Sequence, residues 1–138
     1  MNVRPANKDD LNDLASMNLQ LIQDEGHRNP MGVSELFERM SSWLNSEYRA
    51  AIIEDGVKSI GYALWKEEEE YLYIRQFFIE PGCRRKGLGA RSIALLKSSY
   101  WQGRRLRLEV LTGNVVALAF WRSVGFSDYC VTMECEDA

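Results

Sequence analysis

The stretch 71–79 (Tyr-Leu-Tyr-Ile-Arg-Gln-Phe-Phe-Ile) is an aromatic-rich strand signal that Pro81-Gly82 stops. Gly87-Leu88-Gly89 then opens a helix expected over 87–101, with Ile93, Leu96 and Tyr100 on one face. A strand that passes through a short loop into a helix commits the chain to a layered α/β architecture, because each element has an apolar face that must be covered.

The loop itself is basic. Arg84, Arg85 and Lys86 precede the two glycines, and Arg91 follows them. Free N–H groups at a helix start point outward together, and the helix dipole adds partial positive charge there. Gly87 and Gly89 lack Cβ atoms, so an anion can approach the backbone closely. A pyrophosphate matches the cradle expected over 84–89; a merely solvated turn is the other reading of the same residues. A dinucleotide fingerprint needs a third glycine where Ser92 stands. An NTPase loop needs Gly-Lys-Ser/Thr, which this segment lacks.

Elsewhere the pattern predicts a first strand over 1–5, a helix capped by Asn7 that fades before Gly26, and a second helix capped by Ser34. Strands follow over 48–54 and 57–66 around an Asp55-Gly56 turn. A strand over 105–111 carries Leu106, Leu108 and Val110 inward. Asn114 opens another helix, Gly125 stops it, and a last strand covers 126–134. The order is β-α-α-β-β-β-α-β-α-β in one domain spanning 1–138.

Composition narrows the classes. A net charge of −3 gives no general basis for nucleic-acid binding. No apolar run approaches the roughly 18 residues that cross a bilayer. The start, Met1-Asn2-Val3-Arg4-Pro5, has no apolar leader, and the odd set Cys83, Cys130 and Cys135 suits a reducing compartment, so a cytoplasmic location is expected. A single histidine, His27, and scattered cysteines argue against a metal site.

Pro81-x-x-Arg84-x-x-Gly87-x-Gly89 resembles the acyl-CoA signature of the GCN5-related N-acetyltransferases. The later segment 114–126, Asn-Val-Val-Ala-Leu-Ala-Phe-Trp-Arg-Ser-Val-Gly-Phe, resembles that family's second signature, Asn-x-x-Ala, then an aromatic, then Gly-Phe. The resemblance is strong over 71–126 and rests only on element order before that. It implies a three-layer α/β fold with a mixed, mostly antiparallel sheet, splayed in the middle and covered by helices on both faces. It also implies that acetyl-CoA is the cosubstrate and that no metal takes part. The pantetheine arm would lie along Phe77, Phe78 and Ile79. The pyrophosphate would sit on Arg84, Arg85, Lys86, Gly87, Leu88, Gly89 and Ala90. Asn114 would lie near the thioester, and an amine acceptor would enter beside the first two helices, where Asp24, Glu25, His27 and Arg28 fall. The partners implied are acetyl-CoA and that amine, with no membrane and no nucleic acid; a homodimer is compatible.

Direct attack of an amine on a thioester needs a base, an oxyanion donor and an acid for the leaving thiolate. Glu109, before Asn114, is the candidate base; an ion pair with Arg107 or Arg75 is its structural alternative. The family's acid is commonly a tyrosine seven residues after the signature Asn, and here that position is Trp121. An indole N–H donates a hydrogen bond but does not release its proton, so Trp121 is expected to pack against the cofactor or the core. Tyr71, Tyr73 and Tyr129 are other donors. The reading is an N-acyltransferase acting on an amine; its alternative is a catalytically weak acyl-CoA-binding sensor of the same fold.

Overall fold

A computed structural model describes residues 1–26, 28–84 and 86–137. The strands are β1 (Asn2–Pro5), β2 (Tyr48–Asp55), β3 (Lys58–Glu67), β4 (Leu72–Ile79) and β5 (Leu106–Arg107). The helices are α1 (Leu11–Glu25), α2 (Val33–Leu44), α3 (Leu88–Ser99) and α4 (Val115–Ser123), with single 3-10 turns at Lys8–Asp10 and Pro81–Cys83.

Local chemistry sets most boundaries. Asn7 accepts from the Asp9 N–H at 2.8 Å while Asp10 accepts from the Asn7 N–H at 2.9 Å, so two otherwise orphaned donors are satisfied at the entry to α1. Gly26, at φ 66°, ends α1 in the left-handed region. The second helix begins two residues earlier than Ser34 suggests: Gly32 is its cap, its N–H held at 3.3 Å by Glu35 Oε1.

The sheet runs β1-β2-β3-β4-β5, antiparallel except for the last pair. Leu64 faces Gln76 and Trp65 faces Ile74, so Arg75 is an extra residue, a bulge in β4. Gly61 is required where β3 passes β4: a Cβ there would meet the Phe78 carbonyl oxygen at 2.1 Å. One sheet face carries Tyr48, Ala50, Ile52, Tyr62, Leu64 and Phe78 against α1 and α2. The other carries Ile53, Ala63, Trp65, Leu72 and Ile74 against α3, with Phe120 and Trp121 of α4 beside it. Each fully buried large side chain contributes about 1.5–3 kcal/mol.

Two expected strands are cut back. The fifth strand pairs with β4 only at Leu72↔Leu106 and Tyr73↔Arg107, then departs, so 108–111 forms no ladder. Among the described residues no strand follows α4, and Tyr129, Val131 and Met133 are exposed. Period-2 alternation tells which side a residue faces, but a strand also needs a neighbouring edge. Here Leu106, Arg107, Phe126 and Ser127 line a groove of about 750 Å³, and the two segments do not pair. No helix among the described residues is long and apolar enough to cross a membrane. The three cysteines are free.

Candidate active site

The departure of β5 after Tyr73 leaves the 74–79 edge of β4 without a strand neighbour on that side. Immediately beyond that edge lies the basic loop and the start of α3. Gly87 caps α3 at φ 74°, a conformation that L side chains adopt at a cost. The first backbone bond of the helix runs from Arg91 N–H to Gly87 carbonyl at 3.1 Å, so the N–H groups of Leu88, Gly89 and Ala90 precede it and have no acceptor within the helix. Lys86 is exposed beside them. Arg85 and His27 lie outside the described residues.

Arg84 does not turn toward the cradle. Its Nε donates to the Ile79 carbonyl at 2.7 Å, its guanidinium lies 5.4 Å from the Phe78 ring centroid, and it pairs with Asp24 of α1. The charge is therefore engaged in joining the end of β4 to α1. Gly89 has a packing duty as well. A Cβ there would meet Phe120 Cε1 at 2.9 Å and Cζ at 3.2 Å, whereas one at Gly87 meets nothing within 4 Å. So the two glycines answer to different constraints, one conformational and one steric.

Asn114 caps α4 by accepting from the Ala117 N–H at 3.1 Å. Trp121 sits in an aromatic cluster, with centroids 5.4 Å from Phe77, 5.1 Å from Phe120 and 5.0 Å from Phe126. Phe77 and Phe120 stack at 5.9 Å. Phe77 is half-buried on the α3–α4 side of the sheet, and Phe78 is buried on the α1–α2 side.

Glu109 finds neither arginine. It accepts a hydrogen bond from the Tyr73 hydroxyl at 2.8 Å, and among the described residues it forms no ion pair. Arg107 instead lies over two rings, 4.1 Å from the Tyr71 centroid and 4.5 Å from that of Tyr129. Burial, then the bond to Glu109, pushes the Tyr73 phenol above its ordinary pKa. It therefore keeps its proton and acts as a donor. Of the tyrosines singled out, Tyr73 is the one bonded to the candidate base.

The α1–α2 side of β4 holds residues that the motifs do not mark. Tyr62 donates to Gln76 Oε1 at 2.7 Å, and burial raises its phenol well above the usual range. Arg39 of α2 donates to Asn18 at 3.3 Å, and Arg75 of the bulge donates to the Tyr48 hydroxyl at 3.3 Å. Burial, then the like charge of Arg75, lowers the Arg39 pKa. The signal was present: Arg39 falls among Leu36, Met40 and Trp43 at helical spacing, a charge on an apolar face. Arg28 pairs with Glu134 and Glu136, drawing the last segment toward the α1–α2 connection. Among the described residues no cluster of histidine, cysteine, aspartate or glutamate could hold a metal ion.

Residues 17–126 match the family model described as the Acetyltransferase (GNAT) family. The chain belongs to that family. No curated protein sequence matches it significantly. Among solved structures, the GNAT domain is similar to a possible acetyltransferase from Clostridium difficile 630 (TM-score 0.80, 17% identity, 99% of this chain and 96% of that one). It is also similar to an aminoglycoside 6'-N-acetyltransferase from Acinetobacter haemolyticus (TM-score 0.78, 14% identity, 100% and 99%). A third is a predicted acetyltransferase from Clostridium acetobutylicum, solved with acetyl-CoA (TM-score 0.73, 19% identity, 98% and 95%). Identities this low establish the GNAT fold and leave the acceptor open.

Proposed function

We propose that this GNAT-family chain moves an acetyl group from acetyl-CoA to an amine. The observation that carries the reading is the cleft left where β5 departs from β4. It runs beside a helix start whose first three N–H groups have no acceptor within the helix, and a carboxylate and a phenol, Glu109 and Tyr73, meet where the two strands part. The similar structure solved with acetyl-CoA supports the choice of cosubstrate.

Leu88, Gly89 and Ala90 would hold the pyrophosphate through their N–H groups, with Lys86 adding charge. The 77–79 edge would take the pantetheine amides as an added strand would. The attacking nitrogen must be neutral, so a proton leaves an amine whose ordinary pKa is near 10. Glu109, directly or through water, is the group placed to accept it, and Tyr73 fixes that carboxylate in position. The amine nitrogen bonds to the thioester carbon, the C–S bond breaks, and the thiolate takes a proton on release. Trp121 shapes the cleft wall and supplies no acid.

The packed indole favours a second reading, an acyl-CoA-binding module with weak turnover. Calorimetry with acetyl-CoA, followed by CoA release over a panel of amines, separates the two. Submillimolar binding with amine-dependent release is expected. No heat and no thermal stabilisation at millimolar acetyl-CoA would end both readings.

A further inference from the structure

Two arginines from separate elements converge on one ring. The guanidinium carbon of Arg39 lies 4.4 Å from the Trp43 centroid, and that of Arg75 lies 4.9 Å from it. Arg75 also lies 5.9 Å from the Tyr48 ring. The buried Nε of Arg39 has no hydrogen-bond partner. Among the described residues neither guanidinium forms an ion pair.

This arrangement is costly unless it serves a ligand. A guanidinium stays charged at any relevant pH. Cation–π contact does not neutralise the charge. Buried charges are ordinarily paired. The groups that act on Arg39 are Arg75, which opposes it, and Tyr62. Glu25, at the end of α1, acts on Tyr62. Two cations that share one ring, Arg75 exposed to solvent and Arg39 half-buried, offer guanidinium forks that match the planar oxygens of an oxyanion.

Position turns the receptor into a statement about the acceptor. Glu109 accepts from the Tyr73 hydroxyl at 2.8 Å, and Arg75 stands two residues along β4 from Tyr73, so the anion site and the candidate base flank one side chain. A molecule held by its anionic end at Arg75 and Arg39 can present a nearby amine to Glu109. We propose that the acceptor is a small amine bearing its own carboxylate, a free amino acid or a related amino-carboxylate. The proposal rests on the transferase reading for its amine and on the arginine pair for its carboxylate. Polycationic amines, by contrast, would meet two like charges here.

The test uses the full chain saturated with CoA. Calorimetry and thermal shift compare alanine, glutamate and phenylalanine with the matched amines lacking the α-carboxyl, and phosphoethanolamine provides a phosphate arm. Turnover with acetyl-CoA is followed on the same set. At least one amino acid should bind tenfold or more tightly than its matched amine. Arg75→Gln and Arg39→Gln should each remove that preference while leaving acetyl-CoA affinity intact, and Arg39→Lys should retain part of it. Equal binding of the matched amines, or a preference that survives in folded Arg75→Gln, overturns the proposal. Tighter arginine-dependent binding of phosphoethanolamine than of every amino acid assigns the site to phosphate and overturns it too. Arginine-dependent binding of an amino acid that is never acetylated leaves the anion site standing and removes the transferase reading. Preferential acetylation of amines without a carboxyl does the reverse.

Discussion

Replacing Gly87 and Gly89 by alanine, separately, distinguishes a ligand cradle from a packing contact. At Gly87 an added Cβ has open space, so only the backbone at φ 74° objects. The left-handed conformation costs an L residue about 1–2 kcal/mol. Because about 1.4 kcal/mol is tenfold in an equilibrium, Gly87→Ala should weaken acetyl-CoA about 5- to 30-fold if the loop relaxes out of its cradle shape. At Gly89 the obstruction is the Phe120 ring, 2.9 Å from the added Cβ. Overpacking of this kind costs about 1–3 kcal/mol. It is offset by up to about 0.8–1 kcal/mol for replacing glycine within a helix, and by less in the first turn. Gly89→Ala should therefore lower stability by about 0–3 kcal/mol, and Phe120→Leu in the same chain should recover part of that loss. Urea unfolding and acetyl-CoA calorimetry on the four chains of the cycle give both quantities. If Gly89→Ala weakens acetyl-CoA as much as Gly87→Ala does, with unchanged stability and no coupling to Phe120, the division is wrong and both glycines serve ligand approach.

Three further outcomes follow from the geometry. Glu109→Gln should lower turnover by about 10²-fold with acetyl-CoA affinity kept, and Tyr73→Phe should lower it by less; loss of stability with turnover retained in Glu109→Gln would give the pair a structural role only. Trp121→Phe should cost less than tenfold in turnover, since a ring remains against Phe77 and Phe126 and no acid is lost; a hundredfold drop with cofactor binding intact contradicts this. Asp10 is held below its ordinary pKa by Arg4, at 2.8 Å, so its contribution is present above about pH 4 and is lost as pH falls through its folded-state value; Asp10→Asn should destabilise by about 1–3 kcal/mol at pH 7, since Arg4 is partly exposed, and should flatten the acid limb of a stability–pH curve.

What the sequence made legible was what neighbours in sequence decide. The Asn7 cap, the Gly26 stop, the hairpin at Gly56 and the opening of α3 at Gly87 all rest on groups within a few residues of one another. The two signatures were read by the same local spacing. What the sequence did not show depended on a distant partner. Arg84 looked like a free charge because Asp24, which takes it, stands sixty residues away. Gly89 looked like room for an anion because Phe120, which fills the space, comes from α4. Strand 105–111 looked whole because alternation continues past the point where β4 stops accompanying it. Glu109 and Tyr73 were both named, but their bond follows from register: Tyr73 lies opposite Arg107, two residues before Glu109. The acceptor side suffers most from this blindness. Its charges come singly, Arg39 from a helix and Arg75 from a bulge that only the β3 pairing reveals, so no contiguous motif could carry them. On the proposed reading, the cofactor is held by one loop and the acceptor is met by scattered side chains, so the reaction is legible in sequence and its specificity only in three dimensions.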